Sequence, residues 1–161
     1  MKRQKIYLDT SVINHLDAPD TPDKMNDTIA FWKRLIDNPP CDIVISEVFL
    51  KEIVDCPEPK RSFMFEQLSS IHYELVSRTP EVTQLAEQYI EFGVLSRKHY
   101  NDLLHIAHAA IYDCHVVLSW NFRHFVNFKT IDRVNAVHLV MGYHPIKIAS
   151  PSMILGEFAD E

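Results

Sequence analysis

Five short apolar or β-branched segments alternate with longer helical stretches along this chain, and that alternation restricts it to one kind of architecture. The strand-like segments are residues 5 to 9, Asp42 to Ser46, Tyr73 to Val76, His115 to Ser119 and Ile146 to Ala149. With helices between them, they predict an α/β fold in which a five-stranded, mainly parallel sheet is covered on both faces.

The helix limits are written in local chemistry. Thr21-Pro22-Asp23 and Thr79-Pro80-Glu81 each place a hydroxyl cap before a proline at the first helical position, predicting helices to about Asn38 and to near Gly93. Ser46 caps a helix reaching about Asp55, residues 60 to 71 read as helical, and Ser96 opens a helix running to about Asp113. An amphipathic helix over 129 to 141 stops at Gly142. Pro39-Pro40 and Pro57 to Pro59 break the chain between elements.

The 161 residues suffice for one domain, 1–161, that buries roughly 70% of the surface its unfolded form exposes. No run approaches the ~20 apolar residues of a membrane span, and no apolar signal segment follows the basic start. Three widely spaced cysteines, Cys41, Cys56 and Cys114, argue against a disulfide framework and fit a reducing cytoplasm. The three glycines lie far apart, so neither the P-loop nor the dinucleotide-binding turn can be written, excluding the usual NTPases and dehydrogenases. A net charge of -6 counts against a general basic face for nucleic acid, though not against acids in a cleft with a basic rim. Lys33-Arg34, Lys60-Arg61, Arg97-Lys98 and the series Arg123, Lys129, Arg133 can supply that rim, or simply solvate the surface.

Asp9 stands where the first strand ends. Ligand sites of open α/β sheets gather outside the carboxyl ends of the strands, so this acid reads as a metal or phosphoryl-chemistry residue, or else as a helix cap. Glu52, on the face of its helix shared by Val48 and Phe49, is a carboxylate on a stripe expected to pack on the sheet. Glu47, in the first turn, suits the helix dipole and is expected to pair with Lys51. Asp102 shares a face with His105, Ile106, Ala109 and Ala110, where small residues imply close packing; its alternative role is to offset the helix dipole. His105 and His108 are three apart, a weak metal signal without a Glu beside them, and His108 is expected on the helix surface. Asn121 follows the fourth strand in Leu118-Ser119-Trp120-Asn121, as an oxygen ligand or a turn initiator.

Asp9-Thr10-Ser11, Glu52 within Ile45 to Ile53, Asp102 within Asn101 to Ala110, and the Leu118 to Asn121 strand end together resemble a PIN domain, in the order and spacing of its VapC-type toxin branch. The resemblance extends over nearly the whole chain, including Gly142-Tyr143, Ile148 and Ser150-Pro151. It implies a three-layer α/β/α sandwich whose acids hold Mg²⁺ or Mn²⁺ for cleaving RNA phosphodiester bonds. Asp9 is then the central ligand, with Asp102 and Glu52 ligating directly or through water. Thr10 or Ser11 would bind a phosphate or hold Asp9, and Ser119 would support the strand end. A cognate antitoxin and a homodimer are the partners that the resemblance implies.

One position departs from the pattern. PIN domains commonly carry a further Asp where Asn121 stands, so a second metal should bind more weakly, with His105 or His124 as compensating base or phosphate contact. Two alternatives follow: a catalytically silent PIN module that binds RNA or a protein, and phosphoryl transfer on Asp9. The second lacks both the acidic pair upstream that a receiver needs and the Asp that a haloacid-dehalogenase-like phosphatase would have at Ser11.

Overall fold

Residues 3–159 are described by a computed structural model; residues 1–2 and 160–161, the ends of the expected domain, lie outside them. The strands are β1 (Lys5–Leu8), β2 (Asp42–Ser46), β3 (Glu74–Val76), β4 (Val116–Leu118) and β5 (Lys147–Ala149). They form one sheet in the order β3-β2-β1-β4-β5, and every pairing is parallel. The helices are α1 (Thr10–Asn14), α2 (Pro22–Asp37), α3 (Glu47–Val54), α4 (Lys60–Leu68), α5 (Pro80–Glu91), α6 (Tyr100–Ile111), α7 (Phe128–Met141) and α8 (Pro151–Ala159).

A strand buried on both sides must be apolar along its buried length, and β1 meets that demand after the half-buried Lys5: Ile6, Tyr7 and Leu8 are fully buried. Alternation then assigns them to opposite layers. Ile6 and Leu8, with Ile43, Ile45, Val116 and Leu118, pack among α1, α2, α3, α4 and α8. Tyr7, with Val44, Val117 and Ile148, packs among α5, α6 and α7. Burying one such side chain is worth about 1.5–3 kcal/mol, so β1 holds both layers. The result is the expected α/β/α sandwich, with a sheet wholly rather than mainly parallel.

The caps act largely as their residue types dictate. Ser46 and Thr79 accept from the amides of Val48 and Val82, both at 3.2 Å. Asn127 accepts from Thr130 N at 2.8 Å, and Gly142 closes α7 in the left-handed region at φ 82°. Thr21 precedes α2 as expected, but its hydroxyl donates to Ala18 O instead.

Several expectations need correction. Ser96 opens a 3-10 turn, Arg97–His99, before α6 begins at Tyr100. Lys51 pairs with Asp55 at 3.0 Å rather than with Glu47, whose carboxylate instead accepts from Arg78 N across the β3 edge. His108 is fully buried, not on the surface, because α6 is buried on all sides, every residue from Leu103 to Ala110 included, with Leu85, Ala86 and Tyr89 of α5 in the same core. Its Nδ1 donates to Leu104 O, and burial holds its pKa below the ordinary value.

The strand order sets the site. The chain runs from β1 outward to β3, then returns to place β4 on the other side of β1, so the direction of winding reverses between β1 and β4. That is where an open parallel sheet leaves a crevice at its carboxyl edge.

Candidate active site at the carboxyl edge of the sheet

Asp9 and Ser119 follow the two strands that flank this switch point. The amide of Asp9 donates to Leu118 O at 3.0 Å, which sets the two strand ends side by side. Asp9 precedes α1 but makes no side-chain cap bond. Its Oδ2 instead accepts from Ser11 Oγ at 2.7 Å and Ser119 Oγ at 2.8 Å. The same hydroxyls accept the next amides of the β4 end: Trp120 N to Ser11 Oγ and Asn121 N to Ser119 Oγ, both 2.9 Å. The carboxylate, 5% exposed, is therefore gripped through one oxygen, while Oδ1 lies 3.6 Å from His105 Nε2. Charge-assisted bonds of this kind are roughly twice as strong as neutral ones and fix the side chain's direction.

His105 is the hub of the crevice. It projects from α6, fully buried, and reaches both Tyr7 of β1 and Glu52 of α3. Nε2 lies 2.5 Å from Glu52 Oε1, and Nδ1 lies 2.6 Å from the hydroxyl of Tyr7. Tyr7 Oη in turn lies 2.7 Å from Ser46 Oγ, the cap of the helix that carries Glu52. Thr10 Oγ1 donates to the same Glu52 oxygen at 3.3 Å. Burial opposes charge on the His105 ring, yet the Glu52 hydrogen bond and the charges of Asp9, Glu52 and Asp102 together raise its pKa. Burial pushes the Tyr7 phenol well above its ordinary value, so it remains a neutral bridge.

Asp102 sits in the first turn of α6. Burial raises its pKa, Asp9 and Glu52 add to the rise, and His105 and His124 oppose it, so all four groups act on one carboxyl. Its Oδ2 lies 3.1 Å from His124 Nδ1 and 3.9 Å from His99 Nδ1. The expected acids thus divide into two adjoining sets, Asp9 and Glu52 around His105, and Asp102 with two histidines.

Asn121 does not point its oxygen at the acids. Oδ1 accepts from His124 N at 2.9 Å, Nδ2 lies 3.3 Å from His124 Nδ1, and its carbonyl accepts from the amides of Phe125 and Val126. It is a turn initiator that also positions His124. Two participants escape the sequence reading. His99 had a usable signal, its i,i+3 spacing to Asp102; Tyr7 had none, since an aromatic on a buried strand reads as core.

The donor chemistry at Asp9, Glu52 and Asp102 is carboxylate oxygen, which fits a hard divalent ion such as Mg²⁺ or Mn²⁺. Among the described residues, the group whose ligand atoms all lie within 4.8 Å of one another is His99, Asp102 and His124.

Fold and crevice together make a parallel α/β/α sandwich with carboxylates gathered at its strand ends. No family model matches the sequence, and no curated protein does. Solved structures do share the fold. A chain of the VapBC2 complex of Rickettsia felis, bound to a DNA fragment from their promoter, is similar over 91% of this chain and 98% of its own, with 18% identity and a TM-score of 0.60. A chain of DNA-bound VapBC from Salmonella typhimurium is similar over 92% and 98%, with 16% identity and a TM-score of 0.56. At these identities the likeness speaks for the fold.

Proposed function

We propose that this chain, as one PIN-like domain over 1–161, is a divalent-metal-dependent endoribonuclease and the toxin half of a toxin-antitoxin pair. The observation that carries the reading is that Asp9 and Glu52 flank His105 at the switch point of a parallel sheet, with Asp102 in an adjoining set close enough to feel their charges. Asp9, Glu52 and Asp102 would hold Mg²⁺ or Mn²⁺, which supplies a water of lowered pKa and neutralises charge at the attacked phosphate. Ser11 and Ser119 hold Asp9 in direction, and Thr10 holds Glu52. His105, bonded to Glu52 through Nε2 and to Tyr7 through Nδ1, holds the Glu52 carboxylate in direction.

The surroundings suit a phosphate backbone. A cleft of about 640 Å³ is lined by Arg123, Lys129 and Arg133, with Phe122 and Ser96. Arginine and lysine in such a cleft favour a polyanion despite the acidic total. An antitoxin partner is supported by the neighbours being VapBC complexes. A homodimer is supported by Phe128, Leu139 and Val140 of α7, which are 86%, 84% and 66% exposed. Among the described residues no helix is long and apolar enough to cross a membrane, in keeping with a cytoplasmic place of action.

A second reading, a silent RNA- or protein-binding module, is favoured by the Asn121 amide turned onto His124. Cleavage of total and transfer RNA by purified protein with Mg²⁺, Mn²⁺ or chelator, beside Asp9→Asn, separates the two. Metal-dependent cutting lost in Asp9→Asn establishes the nuclease; inert wild-type protein under every condition sinks it.

A further inference from the structure

Two histidines and one aspartate converge where the oxygen-only site ends. His99 closes the 3-10 turn before α6, and Asp102 lies one turn on, so the two share a face. His124 enters from the loop after β4. That loop is fixed from within: Asn121 holds the His124 amide, and Asn127 Nδ2 donates to Phe122 O at 2.9 Å and Arg123 O at 3.0 Å. The imidazoles of His99 and His124 lie with centroids 3.8 Å apart, and the three ligand atoms are all within 4.8 Å of one another.

Donors on a common ion, each at ~2.1 Å, stand roughly 3–4 Å apart, so small side-chain rotations close this set on a cation. Its chemistry differs from that of the acids. Imidazole nitrogen selects borderline transition ions over Mg²⁺ or Ca²⁺, which prefer oxygen. Three protein ligands also leave positions open for water or a phosphate oxygen.

We propose that His99, Asp102 and His124 form a transition-metal site for Zn²⁺, with Asn121 as the residue that positions His124. The chain then replaces an oxygen ligand at the end of β4 with two nitrogens, and Asn121 serves the site through the loop it holds. Asp102 is shared with the acidic set, but the binding stands or falls apart from RNA cleavage.

The test is titration of metal-stripped, full-length protein with Co²⁺, read by its visible d–d absorption, and competition by Zn²⁺ and Mg²⁺. The expected result is one Co²⁺ bound, displaced by Zn²⁺ and not by millimolar Mg²⁺. His99→Gln and His124→Gln should each weaken binding about tenfold or more, the scale on which metal sites respond to lost support. His99 is partly exposed in a turn, so its variant should keep the fold, checked by circular dichroism. His144→Gln, from the separate His115–His144 ring pair, should leave the titration unchanged. An unaltered titration in His99→Gln, or an equal loss in His144→Gln, overturns the assignment. Protein that binds Co²⁺ through these residues yet cuts no RNA would instead refute the nuclease and leave this site standing.

Discussion

His105 Nε2 lies 2.5 Å from Glu52 Oε1, so a fully buried ring on α6 is tied to a carboxylate that is 36% exposed on α3. The bond joins helices that cover opposite faces of the sheet, and on the other side of the ring Tyr7 joins it to β1. The pair is therefore structural and chemical at once. Truncating the buried member should hurt more than neutralising the half-open one.

His105→Ala removes a packed ring and leaves the Tyr7 hydroxyl short of a partner in the core. A cost of about 2–4 kcal/mol is expected, combining a cavity with a buried group left unpaired. Glu52→Gln keeps an acceptor for the ring and a side chain that water reaches, so its cost should stay under about 1 kcal/mol. Urea unfolding of both variants beside wild type measures the difference, and equal losses would contradict the asymmetry.

The grip on Asp9 sets up a second comparison. Ser11 and Ser119 bond the same Oδ2 and lie 3.3 Å from each other, while each also accepts an amide of the β4 end. Either serine to alanine should cost about 1–3 kcal/mol, because an amide and a buried carboxylate lose a partner together. The double variant should depart from the sum of the singles by about 0.5 kcal/mol or more, as expected of groups in one network. A double-mutant cycle in urea gives that coupling directly, and strict additivity would mean that the two bonds are independent.

These comparisons also mark what the sequence made legible. Asp9 at a strand end, Ser46 and Thr79 before helices, and Gly142 after one carry their structural meaning in residue type and spacing, so strands, caps and acid positions could be read directly. Packing could not. His108 reads as a surface residue because its burial depends on α5 lying over α6. Helix α8 hides behind Pro151 and Gly156, and it is its packing on α2, with Phe158 stacked on Phe31, that supports it. Tyr7 and His99 join the site only because β1 is beside α6 and the loop after β4 folds back on Asp102. Periodicity along one segment carries no record of such neighbours.

A pH dependence follows from the far side of the same layer. His138 of α7 is buried, its Nδ1 donates to His144 O at 2.8 Å, and its Nε2 accepts from the Tyr89 hydroxyl. Burial pushes its pKa below the ordinary value, the His144 carbonyl partly opposes this, and the charge of the His144 ring adds to it. The unfolded chain therefore takes up a proton near pH 6.5 that the folded chain refuses. This contribution to stability is whole above about pH 6.5 and declines as pH falls from there toward the lowered folded value, at up to about 1.4 kcal/mol per pH unit. His108 slopes the same way. His105 slopes the other way, because its raised pKa favours the charged ring in the folded chain; thermal unfolding between pH 7.5 and 5 should therefore show a midpoint that falls less, or rises more, in His138→Gln than in wild type, and an unchanged slope would remove His138 as a source.

Asn121→Asp puts the two halves of the site in opposition. An aspartate at 121 can still accept the His124 amide through one oxygen, so the turn should survive. Its second oxygen replaces the amide nitrogen now 3.3 Å from His124 Nδ1, beside a carboxyl at Asp102 already pushed up by burial and by Asp9. Without a cation, the new charge should lower stability by about 1–2 kcal/mol, since a second carboxylate nearby raises the cost of ionising both. With a cation, it adds a hard oxygen ligand, so Mg²⁺ should bind more tightly than to wild type and recover the lost stability by mass action. Unfolding midpoints with and without millimolar Mg²⁺ decide the matter. A variant that is destabilised yet gains nothing from Mg²⁺ would show that residue 121 faces His124 in both forms and never reaches the ion.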